Sequence, residues 1–177
     1  ILGCGLPTTA AYMVLATLAV PALTKIGVPM VAAHLFVLYF GSISTITPPV
    51  ALSAYAGAAL AGANPNKVGF RAFRFGLIAF IIPFMFVYSP PLLLEGGALS
   101  IAQGVITGCI GVLCIAICVQ GYLLAPAGIV ERIAAFAAGL LLIFSGLVTD
   151  LIGFALFAGI IVLQLIHKKK LTATPAT

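Results

Sequence analysis

Gly41-Ser42-Ile43-Ser44-Thr45-Ile46-Thr47-Pro48-Pro49 is the stretch on which the reading of this chain turns. Two helix-breaking prolines stand inside an apolar run, preceded by small hydroxyl residues. Lipid cannot satisfy free backbone N–H and C=O groups. A helix broken at membrane depth must therefore face protein or a watery cavity. Such breaks gather freed carbonyls and hydroxyls at one spot, where small ions and polar ligands can be held.

Composition supports the membrane setting. The 177 residues are 63% hydrophobic and only 6% charged, and the mean hydropathy is +1.32. A soluble domain carries roughly 25% charged residues, so the charges here cannot cover a water-facing surface. The apolar runs are too long for the alternating strands of an outer-membrane barrel, which predicts an all-α, polytopic membrane protein. The net charge of +5 is concentrated in Lys67, Arg71 and Arg74 and in Lys168–Lys170, a pattern of cytoplasmic loops rather than of nucleic-acid binding. Of the four cysteines, Cys109, Cys114 and Cys118 share one apolar helix without a His, Asp or Glu, so they read with Cys4 as small core residues. The chain opens in mid-pattern at Ile1-Leu2-Gly3-Cys4 and is expected to be the C-terminal piece of something longer.

Six apolar segments are expected. The first spans about Thr8–Leu23 and ends at Pro21 and the Thr24–Pro29 loop. The second, Met30–Ile46, stops at Thr47-Pro48-Pro49, and the third runs from Val50 to about Gly62. An unbroken helix from Met30 to Gly62 would be roughly 50 Å long, against a hydrocarbon core of about 30 Å. It is either one crossing broken in the middle or a re-entrant hairpin with the prolines at its tip. Asn66–Phe75 interleaves Lys67, Arg71 and Arg74 with Phe70, Phe73 and Phe75, an interfacial helix. The fourth segment, Gly76–Leu94, contains Pro83, and Glu95-Gly96-Gly97 forms a turn. The fifth, Leu99–Leu124, presents Gly104, Gly108 and Gly111 as a face for close helix packing. Ile133–Ile166 is interrupted by Ser145–Asp150. It reads as two short helices with Asp150 at the turn, where Thr149 or Asp150 caps the second helix.

Charge sets an orientation. With Lys168–Lys170 in the cytoplasm, Arg132 is cytoplasmic, Glu95 is outside, and Lys67, Arg71 and Arg74 are inside. Lys25 alone departs from the rule if Met30–Gly62 is a broken crossing.

Three stretches carry a family resemblance: Gly5-Leu6-Pro7-Thr8-Thr9-Ala10-Ala11-Tyr12, Ala33-His34-Leu35-Phe36-Val37-Leu38-Tyr39-Phe40-Gly41, and Thr45-Ile46-Thr47-Pro48-Pro49-Val50-Ala51. Together they resemble the large membrane subunit of TRAP transporters, most closely the fused permease of the TAXI branch. The similarity is strong from Gly3 to about Leu94. Gly146–Gly153 resembles, less specifically, the C-terminal extension of those permeases. The resemblance implies the C-terminal half of an inverted-repeat, elevator-type transporter in a bacterial or archaeal inner membrane, with its C-terminus cytoplasmic. Residues 1–94 would be the second-repeat transport region: hairpin tip and returning arm at 3–24, broken helix at 30–62, interfacial arm at 64–75 and a helix at 76–94. Residues 95–177 would be a transmembrane extension. It further implies sodium-coupled uptake of small organic acids, a periplasmic solute-binding protein that delivers them, and a small membrane subunit fused upstream. No organic cofactor and no catalytic residue is expected.

The chemistry of the residues fits that implication. Sodium takes uncharged oxygens, and Pro48 and Pro49 free helix carbonyls because neither has an N–H. Gly5, Ser44, Thr45 and Thr47 are the expected sodium ligands. Pro7, Thr8, Thr9, Gly41, Ser42, Pro48 and Pro49 complete the expected ion and substrate site. Gly3, Gly5 and Gly41 would let two backbone loops approach. Helix N-termini at Val50 and Thr9 would face a substrate carboxylate. Each residue also has a plainer reading. Thr47-Pro48-Pro49 can be a structural kink, and Thr8 and Thr9 can bond back to helix carbonyls. His34 suits a satisfied core position better than proton coupling, Asp150 a turn cap better than a proton relay, and Tyr39 and Tyr55 packing better than gating. An ion-coupled elevator transporter without a binding protein is the alternative function. An intramembrane hydrolase is disfavoured because His34 and Asp150 lie far from the hydroxyls, and a scaffold has no use for a broken helix.

Overall fold

Helices account for the architecture, as the hydropathy demands. The computed structural model describes residues 5–144 and 146–173, with side chains up to Lys168. Gly3, Cys4, Ser145 and the side chains of Lys169 and Lys170, all used in the sequence reading, lie outside the described residues. The chain divides into two units, residues 1–93 and 94–177.

In the N-terminal unit, α1 (Thr8–Lys25) and α2 (Met30–Ile43) pack side by side. Their shared core is Leu15, Val20, Ala33 and Val37. Helix α1 was expected to stop near Pro21, yet it passes through that proline to Lys25. The hydroxyl of Thr24 donates to the carbonyls of Val20 and Pro21 at 3.1 Å each, which ties down the turn around the proline. After a 3-10 turn (Ser44–Ile46) and a break come α3 (Leu52–Leu60), α4 (Pro65–Gly76), a second 3-10 turn (Leu77–Phe80) and α5 (Ile82–Tyr88). Among the described residues α3 packs on α4 and on the Ser44–Ile46 turn and not along α2, so Met30–Leu60 is a broken helix and not a hairpin. Asn64 caps α4 by accepting from the Lys67 N–H at 3.2 Å, with Pro65 in the first turn. The 3-10 turn joins α4 directly to α5, so Pro65–Tyr88 is long and apolar enough to span a bilayer. Pro83 sits in the first turn of α5, where a missing N–H costs nothing.

Aromatic side chains fasten α2 to the α4–α5 arm. Phe36 meets Phe84 edge-on at 5.1 Å between centroids. Phe40 meets Phe80 at 5.7 Å, and Tyr39 meets Phe86 at 5.6 Å. Tyr39 is thus a packing residue.

The C-terminal unit is a three-helix sequence: α6 (Ala98–Gln120), α7 (Ile129–Ile143) and α8 (Leu147–Ala173). α7 packs on both neighbours. The glycine face of α6 is buried as expected, with Gly104, Gly108 and Gly111 all inward. A Cβ on Gly139 of α7 would stand 3.0 Å from the Gly111 carbonyl, so the two backbones touch there and only glycine fits. Cys114 is fully buried between Ala138 and Leu142. Only one of the two final helices is short: Ala98–Gln120 and Leu147–Lys168 each satisfy the length and apolarity of a membrane span, whereas α7 has 15 residues. Asp150 does not cap α8. It lies inside the first turns, 4% exposed, and accepts from Gln103 Nε2 at 2.8 Å. Thr149 donates to the carbonyls of Phe144 and Gly146, so neither side chain meets the free N–H groups of the helix start.

Candidate functional site

The break between α2 and α3 follows from proline chemistry. Pro48 and Pro49 cannot return hydrogen bonds to Ser44 and Thr45, and a residue that precedes proline is driven out of the helical region. Thr47 is accordingly extended, at φ −97° and ψ 118°. The chain returns to helix through Ala51, whose φ of 30° is left-handed and unusual for alanine. The Pro48–Pro49 peptide is cis.

The unwound stretch is short and begins at Thr47, as the Thr47-Pro48-Pro49 stop predicts. Ser42 is still in α2, and Ser44–Ile46 form a 3-10 turn, so the irregular backbone spans 47–51. A proline disturbs the ladder only as far as the carbonyls it fails to reach, and residues N-terminal to those keep their helical bonds.

Every hydroxyl in the stretch donates its proton to a backbone carbonyl one turn earlier. Ser42 donates to Leu38 O at 2.9 Å and Ser44 to Gly41 O at 2.6 Å. Thr45 donates to Ser42 O at 2.8 Å and Thr47 to Ile43 O at 2.8 Å. A hydroxyl whose proton is committed this way offers only lone pairs to a further partner, which is the form a cation ligand needs. Ser44 is buried, and Ser42 is exposed. The Ser44 carbonyl recovers a donor in the Thr47 N–H at 3.2 Å, and the Thr47 carbonyl accepts from Ala51 N–H at 3.0 Å. Thr45 O gains no backbone donor among the described residues.

The second loop lies against this break. Gly5 has φ +86°, which only glycine adopts readily, and a Cβ built on it would come 3.7 Å from Val50 Cγ1. Pro7 is the N-cap position of α1, and its carbonyl accepts from Ala11 N–H at 2.9 Å. Thr8 and Thr9 occupy the first turn of α1. Gly41 acts between helices and not between loops: it lets α2 approach Ala11 and the backbone of Tyr12. The structure therefore brings Gly5 to the break and sets α1 against the end of α2. His34, one helical stretch earlier, is bonded through Nδ1 to the Tyr12 hydroxyl at 2.9 Å, a satisfied position between α1 and α2.

Two features of the site were missed in the sequence. Tyr55 reaches back from α3 and donates its hydroxyl to Pro49 O at 2.8 Å, clamping the break. Gly69 of α4 makes room for that ring, since a Cβ there would lie 2.8 Å from Tyr55 Cε1. Gly76 leaves space for Ile46 in the same way, at 2.5 Å from Cδ1. The signal was available: Gly69 and Gly76 are seven residues apart, on one face of a helix. A cleft of about 250 Å³ lies between α1 and α2, but Leu15, Ala19, Ala22, Leu23, Phe36, Val37 and Phe40 line it, so it offers no polar ligand.

Comparison with protein families gives one result. The family model described as "Tripartite ATP-independent periplasmic transporter, DctM component" matches residues 1–98. The chain belongs to this family. Neither the curated proteins nor the solved structures compared with it show a significant match. The matched residues hold the whole broken helix and the start of α1. As a DctM component the chain is a multi-pass membrane permease of a TRAP transporter, a transport family and not an enzyme family, and one that works with other subunits.

Proposed function

We propose that this DctM component conducts sodium-coupled uptake of a small organic acid delivered by a periplasmic solute-binding protein, and that the 44–51 break with the Gly5–Thr9 turn is half of its ion and substrate site. The observation that carries the reading is the pairing at this break: the Thr45 carbonyl, left without a backbone donor by Pro49, beside hydroxyls whose protons are already donated. Such oxygens are neutral and unable to donate. They suit a monovalent cation and repel a hydrogen-bond acceptor. Gly5, Ser44, Thr45 and Thr47 are the ligands we assign to sodium. The first turns of α1 and α3 carry N–H groups with partial positive charge, which suit the carboxylate of a substrate beside the ion. The elevator motion, the inverted first repeat and its re-entrant hairpin, the fused small subunit, the TAXI branch and an inner-membrane setting with a cytoplasmic C-terminus belong to the same proposal.

Proteoliposomes that hold the complete transporter test it. Uptake of radiolabelled organic acids is measured with and without a sodium gradient, and with and without the binding protein. Uptake should need both. Uptake indifferent to sodium removes the coupling claim, and uptake without the binding protein selects the stand-alone transporter.

A further inference from the structure

One end of the C-terminal unit gathers the 121–128 connection, the start of α7 and the end of α8. Glu131 is buried there, 4% exposed. Its Oε2 accepts from Gly128 N–H at 2.9 Å and from Gln164 Nε2 at 2.7 Å. His167 Nδ1 lies 3.0 Å from its Oε1. Gln164 is fully buried and accepts in turn from the N–H groups of Leu124 and Ala125. The acid is thereby committed inside the fold.

Arg132 is placed differently. Its Nε donates to Cys118 O at 2.7 Å, which fixes the guanidinium over the last turn of α6. It lines a cleft of about 270 Å³ whose other walls are Cys118, Ile129, Ile133 and Phe136. Ile129 and Ile133 are 78% and 64% exposed, and Phe136 is 46% exposed. Lys168 stands at the same end of the unit, one residue beyond His167, and Lys169 and Lys170 follow it in sequence.

We propose that this cleft between α6 and α7 is a binding site for one anionic phospholipid. An acyl chain lies along Ile129, Ile133 and Phe136, and the phosphate meets Arg132. The charge pattern selects this occupant. A cation at the mouth of an apolar cleft matches an amphiphile whose anion adjoins an aliphatic chain. A neutral apolar helix seated there would cover the guanidinium without pairing it, which is costly. Basic residues beside a membrane helix end attract anionic headgroups at about 1 kcal/mol each, so Lys168 at the same end raises the local concentration of such lipids. The inference does not depend on sodium coupling or on the 44–51 break.

The full transporter carrying Phe136→Trp, with the parent fluorescence subtracted, is reconstituted in phosphatidylcholine membranes. Brominated phosphatidylglycerol and brominated phosphatidylcholine are titrated as quenchers. Half-maximal quenching is expected at a several-fold lower mole fraction for the anionic lipid. Arg132→Gln should reduce that preference by about fivefold, and Arg132→Lys should retain most of it. Native mass spectrometry of the unsubstituted protein should retain phosphatidylglycerol in preference to phosphatidylcholine. Equal quenching by the two lipids overturns the proposal. Quenching by neither also overturns it, since protein then covers the cleft. Should Arg132→Gln fail to fold, as judged by its thermal melt, Lys168→Gln must still lower the preference, and no change in it counts against the site.

Discussion

In the N-terminal unit α2 ends at Ile43, and α-helix does not resume until Leu52; in the C-terminal unit α6 and α8 run 23 and 27 residues without a proline. Both units carry polar groups where hydrocarbon is expected. In the first, these are short hydroxyls that bond back onto carbonyls of the preceding turn, next to the Thr45 carbonyl, which gains no backbone donor among the described residues. In the second, Glu131 and Gln164 are tied to named partners that hold a connection to a helix end. The hydroxyls at the break bond only to carbonyls of their own helix and so keep lone pairs for a further partner, whereas the C-terminal network joins a connection to two helices and specifies packing. The contrast fits the proposal that the break receives a guest, while the 121–128 network holds a connection in place.

Substitutions can separate these roles, and the largest effect is expected at the prolines. Pro48→Ala with Pro49→Ala restores two N–H groups. Each helix-breaking proline is worth about 3 kcal/mol, so replacing the pair favours a continuous helix by on the order of 10,000-fold, and uptake should fall by at least about 100-fold. The thermal melt of the protein should not drop. A lower melt with normal uptake would reverse the assignment of the two regions.

Gln164→Leu should do the opposite. It strands the N–H groups of Leu124 and Ala125, and unsatisfied buried groups cost about 1–3 kcal/mol. The melting temperature should fall, while uptake per folded molecule stays unchanged. Thr47→Val is a finer probe of the break. It removes one hydroxyl, a net contribution of about 0.5–1.5 kcal/mol, so the sodium concentration for half-maximal uptake should rise by a few-fold to about tenfold. An unchanged sodium dependence would strike Thr47 from the ligand set. Cys114→Ala, in the α6–α7 core, should leave both uptake and sodium dependence alone and cost only a modest cavity penalty, read as a small fall in the melt.

Much of this was legible in the residues. The low charge and long apolar runs required membrane helices, because so few charges cannot cover a water-facing surface and lipid demands internally satisfied backbone. Pro48 and Pro49 announced the break, since a missing N–H is a covalent fact. The small face of α6 was visible as Gly104, Gly108 and Gly111. What was not legible depends on partners distant in sequence. Asp150 reads as a turn cap by position, yet Gln103, 47 residues earlier, claims it. Pro21 reads as a stop, yet α1 continues because packing on α2 and the bonds of Thr24 outweigh one lost hydrogen bond. Nor were the hydroxyl partners legible: residues next to prolines suggest loop, whereas Ser42, Ser44 and Thr45 bond back onto helix carbonyls.

The amino-acid sequence by itself determined the solvent, the helical class and the place where the helix must break, because hydropathy and a proline's missing donor act locally. Tertiary structure alone decided which groups meet there. Gly5 against Val50, Tyr55 on Pro49 and the room that Gly69 leaves for that ring are contacts between separate segments. Close packing, which depends on shape across the fold, sets them, and no single stretch of chain encodes that shape.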